Sequence, residues 1–153
     1  MLEILTHLEH LQEPPKTIIF NELDEVNSVI FFMHGQCDIG FEINRKQEYV
    51  LRLDKSIIIG AYNLTFNTRS NFVYRTHSHC RGYFIRRSNW KAILDDEEHK
   101  ILAQLFKKRV KQEYQEKIVE IMKPKKLQWI HKWMQRADYQ ASLRVISNTC
   151  KEP

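Results

Sequence analysis

Residues 57–73 read IIIGAYNLTFNTRSNFV: an apolar strand, a glycine, a short polar loop, an Arg-Ser pair and a second strand. Glycine lets a backbone take positive φ or approach a ligand closely. N–H groups displayed in such a turn, with Arg69 at its far end, make a pocket matched to a single phosphate.

Upstream and downstream of this stretch, short runs rich in β-branched and aromatic residues recur about ten residues apart, separated by polar turns. They are Thr17 to Phe20, Val29 to Phe32, Cys37 to Ile43, Tyr49 to Leu53, Ile57 to Ile59, Asn71 to Thr76 and Gly82 to Arg86. Seven or eight such strands predict a small antiparallel roll or jelly-roll barrel.

After Arg87 the period becomes helical. Ser88 is placed to cap a short helix through Leu94. Asp95-Asp96-Glu97-Glu98 puts negative charge at the start of a long helix, where the macrodipole favours it. Along that helix Ile101, Leu102, Leu105, Phe106, Val110, Tyr114, Ile118 and Ile121 recur at three- and four-residue spacing. Pro124 is expected to stop it, with a last helix from Leu127 to Val145. The expected division is a helical segment over 1–14, the roll and its helices over 15–122, and a C-terminal helix and tail over 123–153.

The 153 residues suffice for one domain, and 42% hydrophobic content is ordinary. No apolar run is long enough to span a membrane. Three cysteines, odd in number and widely spaced, read as reduced thiols of a cytosolic protein. Charge is uneven: residues 1–85 hold 8 Lys/Arg against 10 Asp/Glu, whereas 86–136 hold 14 against 7. A basic helical half attracts an acidic surface or simply keeps the protein soluble. No aromatic residues interleave with it, so nucleic acid is not an expected partner.

The order of elements, an eight-stranded roll, a short helix and a long amphipathic helix, resembles that of cyclic nucleotide-binding domains. Pro15 to Gly40 is similar to the family's opening, with Ile19-Phe20, the acidic turn of Glu22, Asp24 and Glu25, and Gly35 ending a strand. Ile59-Gly60-Ala61 falls on the family's Phe-Gly-Glu, and Arg69-Ser70 on its Arg followed by Thr, Ser or Ala. The cover is roughly Pro15 to Tyr114. The trailing Trp133 to Tyr139 also resembles the segment C-terminal to the domain in cyclic-nucleotide-gated and voltage-gated cation channels, particularly the divergent protist set.

The resemblance implies an eight-stranded antiparallel β-roll (a jelly roll, or double-stranded β-helix) followed by a short helix, a long amphipathic helix and a C-terminal helix. It also implies a regulatory domain at the cytosolic face of a channel that senses cyclic AMP or cyclic GMP. Gly60 and Arg69 would hold the phosphate, Ser70 would add a hydroxyl donor to the phosphate or the purine, and Asn63 lies in the same cassette. Val50, Leu51 and Ile59 fit either a purine wall or plain core packing. Phe106 and Val110 fit either a closing lid or the helix's core face. Ala61 departs from the pattern, because the family's glutamate there accepts the ribose 2′-hydroxyl. The loop from Gly60 to Arg69 is also one residue short, and Thr68 replaces the usual proline. Losing one hydrogen bond to a hydroxyl costs about 1 kcal/mol, or about 1–3 if the hydroxyl is left buried and unpaired. Affinity falls by roughly tenfold to a hundredfold on that scale.

The alternative is a nucleotide-independent assembly domain with a lapsed pocket, its partner a second copy or channel subunits, contacted through Trp129 and Trp133. His77 and His79 share a strand face, but no further Cys/His pair stands at ligand spacing, so no metal is expected. No catalytic triad or dyad spacing is present, and neither an enzyme nor a cofactor is expected.

Overall fold

A computed structural model describes residues 2–149. The order is α1 (Leu2–Thr6), β1 (Glu9–Glu13), β2 (Ile18–Phe20), β3 (Ser28–His34), β4 (Cys37–Ile43), β5 (Lys46–Leu53), β6 (Ile57–Ile59), α2 (Ala61–Phe66), β7 (Val73–Thr76), β8 (Cys80–Arg86), α3 (Arg87–Leu94), α4 (Lys100–Tyr114) and α5 (Glu120–Thr149). Two four-stranded antiparallel sheets, ordered β1-β8-β3-β6 and β2-β7-β4-β5, form the roll. The expected β architecture, with helices after it, is what the chain adopts.

Alternation sets the register. Phe32 and Ile57 stand opposite one another in the first sheet, as do Ile30 and Ile59. In the second sheet Ile39 lies opposite both Leu51 and Tyr74. Phe32, Ile39, Phe41, Ile57, Ile59 and Tyr74 are all buried in one core. Successive side chains of a strand point to opposite faces, so a one-residue slip would turn this whole set outward.

Two expectations need correction. The helical segment over 1–14 is helical only at Leu2–Thr6; Glu9–Glu13 is a strand along the edge of the first sheet. There β8 offers an unpaired edge, and Arg86 adds a two-pronged bond to Glu9, at 2.6 and 2.9 Å. Ladder pairing outweighs the local apolar spacing of the segment.

Pro124 does not end the long helix. Helix α4 runs through a π-turn at Gln115–Val119 into α5, with Pro124 inside it. The expected boundary at 122/123 therefore falls within continuous helix. An interior proline costs about 3 kcal/mol or more. Burial of Ile118 and Met122 in the roll's core offsets that cost. The expected tail beyond Thr149 lies outside the described residues.

Beyond the proline, α5 lies against the second sheet. Lys125 Nζ donates to the Val50 carbonyl at 2.8 Å, and Lys126 pairs with Glu22 at 2.9 Å. Trp129 meets Phe41 edge-on at 5.9 Å between ring centroids. Trp129 thus belongs to the roll's packing rather than to a free contact surface, whereas Trp133 is 40% exposed.

Candidate functional site

Gly60 sets the site. Its φ of 86° is left-handed, and it stands immediately before α2. A Cβ at this position would lie 2.5 Å from the Ser28 carbonyl oxygen and 2.9 Å from Val26 Cγ1. Only glycine turns the chain here from β6 into α2 without strain. The segment expected to be a loop is therefore a six-residue helix, closed by Asn67, also left-handed at φ 54°.

A cavity of about 430 Å³ opens between this segment and the long helix. Gly60, Ala61, Tyr62 and Asn63 form one wall; Phe106, Val110 and Tyr114 of α4 form the facing one. Tyr74, Trp90 and Ile57 add apolar floor. Tyr62 stacks on Tyr114 with centroids 4.1 Å apart and planes 5° from parallel. Trp90 meets Phe106 edge-on at 5.4 Å, and its indole N–H donates to Thr65 Oγ1 at 3.2 Å. These contacts hold α4 against α2 and α3.

The rim of the cavity is basic. Lys55, Arg109 and Lys117 line it with a single carboxylate, Glu113, which takes Arg109 at 3.2 Å and Lys117 at 3.7 Å. Burial pushes the Tyr114 phenol up from its usual range, against a bond accepted from Asn71 at 3.2 Å. Burial likewise raises Tyr74, with the neighbouring Tyr114 adding to it. Both phenols stay neutral, so the lining is uncharged apart from its rim.

Four of the seven residues expected at a site, Gly60, Ala61, Asn63 and Phe106, line this cavity. Asn63 is buried and braces its own turn, with Nδ2 donating to the Arg69 carbonyl at 2.7 Å and Thr68 Oγ1 at 3.2 Å. The other three lie elsewhere. Arg69 is exposed, and its Nη1 donates to the Leu23 carbonyl at 2.8 Å, tying the cassette to the acidic turn between β2 and β3. Ser70 is buried, and its hydroxyl donates to the Phe72 carbonyl at 2.7 Å. Val50 is half-buried under α5, away from the cavity. Val110 lies on the cavity wall, while Leu51 packs on the core and Ile59 is part of it.

Sequence reasoning placed Tyr114 among the core-facing positions of the long helix but missed its partner Tyr62. An aromatic two residues beyond the cassette glycine was the available signal. His77 is engaged with Asp38, at 3.1 Å from Nδ1, and with Arg52 at 2.9 Å. Among the described residues no three His, Cys, Asp or Glu side chains gather as metal ligands. No helix among them is long and apolar enough to cross a membrane.

No family model matches the chain, and no curated protein matches it in sequence. Solved structures do match in fold. A protein of Geobacter metallireducens named as cyclic nucleotide-binding is 13% identical, with a TM-score of 0.58, over 69% of this chain and 76% of that one. The EAL enzyme Bd1971, in a half-site-occupied form, is 17% identical at a TM-score of 0.55, over 69% of this chain and 97% of the matched one. The regulatory domain of Toxoplasma gondii PKA, crystallised with cAMP, is 16% identical at 0.55; the match spans 60% of this chain but only 36% of that one. At such identities the likeness is one of fold: the chain has the roll-and-helix architecture of cyclic nucleotide-binding domains.

Proposed function

We propose that the chain is a regulatory domain of the cyclic nucleotide-binding type, which senses an occupant of the α2–α4 cavity and relays it through the long helix. One observation carries this reading. The Gly60–Asn63 segment and the Phe106–Tyr114 face line the same cavity, so whatever fills it touches both. A ligand that prefers one position of α4 over another shifts the helix by that difference in affinity and no more.

Cyclic AMP or cyclic GMP is the candidate occupant. Apolar walls suit a purine, and a rim of three cations against one carboxylate suits a phosphate. Arg69 stands outside the cavity on the Leu23 carbonyl, and joining the phosphate requires it to leave that solvent-exposed bond, worth about 1 kcal/mol. Ala61 offers the ribose no acceptor, which sets the expected affinity low. The channel-like trailing helix supports a place at the cytosolic face of a cation channel, with no enzymatic step. Calorimetric titration with both nucleotides, beside an Arg69→Ala control, tests the reading. Saturable heat that weakens in the variant supports it; no heat at millimolar nucleotide, or identical heat from the variant, overturns it.

A second reading is favoured by the Arg69–Leu23 and Ser70–Phe72 bonds, which turn both polar groups of the cassette onto the protein itself. On that reading the domain works without nucleotide, as an assembly piece whose cavity has lapsed.

A further inference from the structure

The first turns of α4 carry an apolar stripe that nothing among the described residues covers. Ile101, Leu102 and Leu105 are 75%, 62% and 59% exposed. Their spacing turns Ile101 and Leu105 away from the cavity-lining Val110 and Tyr114, with Leu102 one turn before Phe106 at the border between the two faces. Charge is ordered around this stripe. Four acidic residues, Asp95 to Glu98, lie just before it; Lys107, Lys108, Arg109 and Lys111 lie just after it.

That order reads the same in reverse with opposite sign. An antiparallel copy of the segment, crossing at residue 103, sets Ile101 against Leu105 and Glu98 against Lys108. Each pairing occurs twice about the two-fold axis. Self-complementarity of this kind is what an isologous interface requires. A lipid surface fits less well, because the acidic cluster would lie against anionic headgroups.

We propose that α4 and the single 3-10 turn leading into it (Glu97–His99) form a two-fold antiparallel pair between two copies of this chain over residues 97–109, sealed by Ile101, Leu102 and Leu105 and registered by Glu98 and Lys108. The α-helical part of the seam, 100–109, is about 15 Å long at 1.5 Å per residue. Such a contact lies at the small end of specific interfaces, so the dimer is reversible and concentration-dependent. Its centre, Ile101 and Leu105, faces away from Val110 and Tyr114 of the cavity, so the proposal holds whatever the cavity binds.

Sedimentation velocity of the full chain over a wide concentration range, in low and high salt, reads the dimer directly. The expected results are a concentration-dependent dimer that weakens with salt, and loss of at least roughly tenfold in affinity on Glu98→Lys or on Lys108→Glu. The double variant restores it. An equimolar mixture of the two single variants forms heterodimers although each alone is weakened, because every contact in the mixed pair is then of opposite sign. All these side chains are exposed, so far-ultraviolet circular dichroism of the variants should match the parent. A chain that stays monomeric throughout overturns the proposal, whether or not it sediments with anionic vesicles. A dimer indifferent to both charge reversals and to Leu105→Asp overturns it equally.

Discussion

Tyr62 of the cassette helix and Tyr114 of the long helix lie face to face, ring centroids 4.1 Å apart and planes 5° from parallel. Both rings line the cavity, and the pair ties α2 to α4. Its removal should therefore loosen α4 without unfolding the roll.

Tyr114→Ala is expected to lower stability by about 2–3 kcal/mol, of which roughly 0.5–1.5 comes from the ring pair itself. Urea unfolding measures the total. Amide exchange should locate the loosening in α4, with strands β3, β4 and β8 protected as before. Uniform loss of protection would mean the stack is only one more core contact.

Ala61→Glu restores the acceptor that the cassette lacks. Affinity for cyclic nucleotide should rise by roughly tenfold or more, the worth of a hydrogen bond to a charged group. Calorimetry reads it. A 2′-deoxy nucleotide should gain nothing from the substitution, which separates a ribose contact from a general change in the pocket.

Gly60→Ala forces a methyl toward the Ser28 carbonyl, in a backbone conformation that side chains avoid. A loss of about 1–3 kcal/mol is expected, read as a lowered thermal midpoint. A neutral result would mean that the β6–α2 turn can move to a different backbone geometry.

Asp38 predicts the acid limb of stability. Burial pushes its carboxyl up, but the Arg52 bond at 2.8 Å and charge, together with His77, more than reverse this and hold it below the usual 3.8. A carboxylate depressed in the folded state contributes stability that is present above the unfolded value and lost as pH falls through the folded one. The contribution should hold at neutral pH and fade below about pH 4. Asp38→Asn should cost roughly 1–2 kcal/mol at pH 7, since it removes the carboxylate shared by Arg52 and Arg75, both of which keep contact with water. The difference from wild type should shrink in acid, as followed by urea titration at several pH values. A difference that stays constant down to pH 2 would contradict the assignment.

Much of this architecture was legible in the sequence because alternation and helical period report burial directly. Cys37, Ile39 and Phe41 alternate and are all buried. The turn at Gly60 was legible because only its backbone freedom explains a glycine at the end of β6. Two features were less so. Pro124 reads as a stop by local chemistry, yet Ile118 and Met122 pack in the roll's core and hold the helix through it. The direction of Arg69 depends on the Leu23 carbonyl, 46 residues away in the chain. Side-chain aim is a property of tertiary neighbours that no local motif contains.

The most direct measurement of the central claim is amide hydrogen exchange along α4, with and without millimolar cyclic nucleotide. Binding in the α2–α4 cavity predicts slower exchange over 106–114, matched by the 60–66 segment across from it. Exchange rates in both segments that are unchanged by either nucleotide would contradict the sensor account.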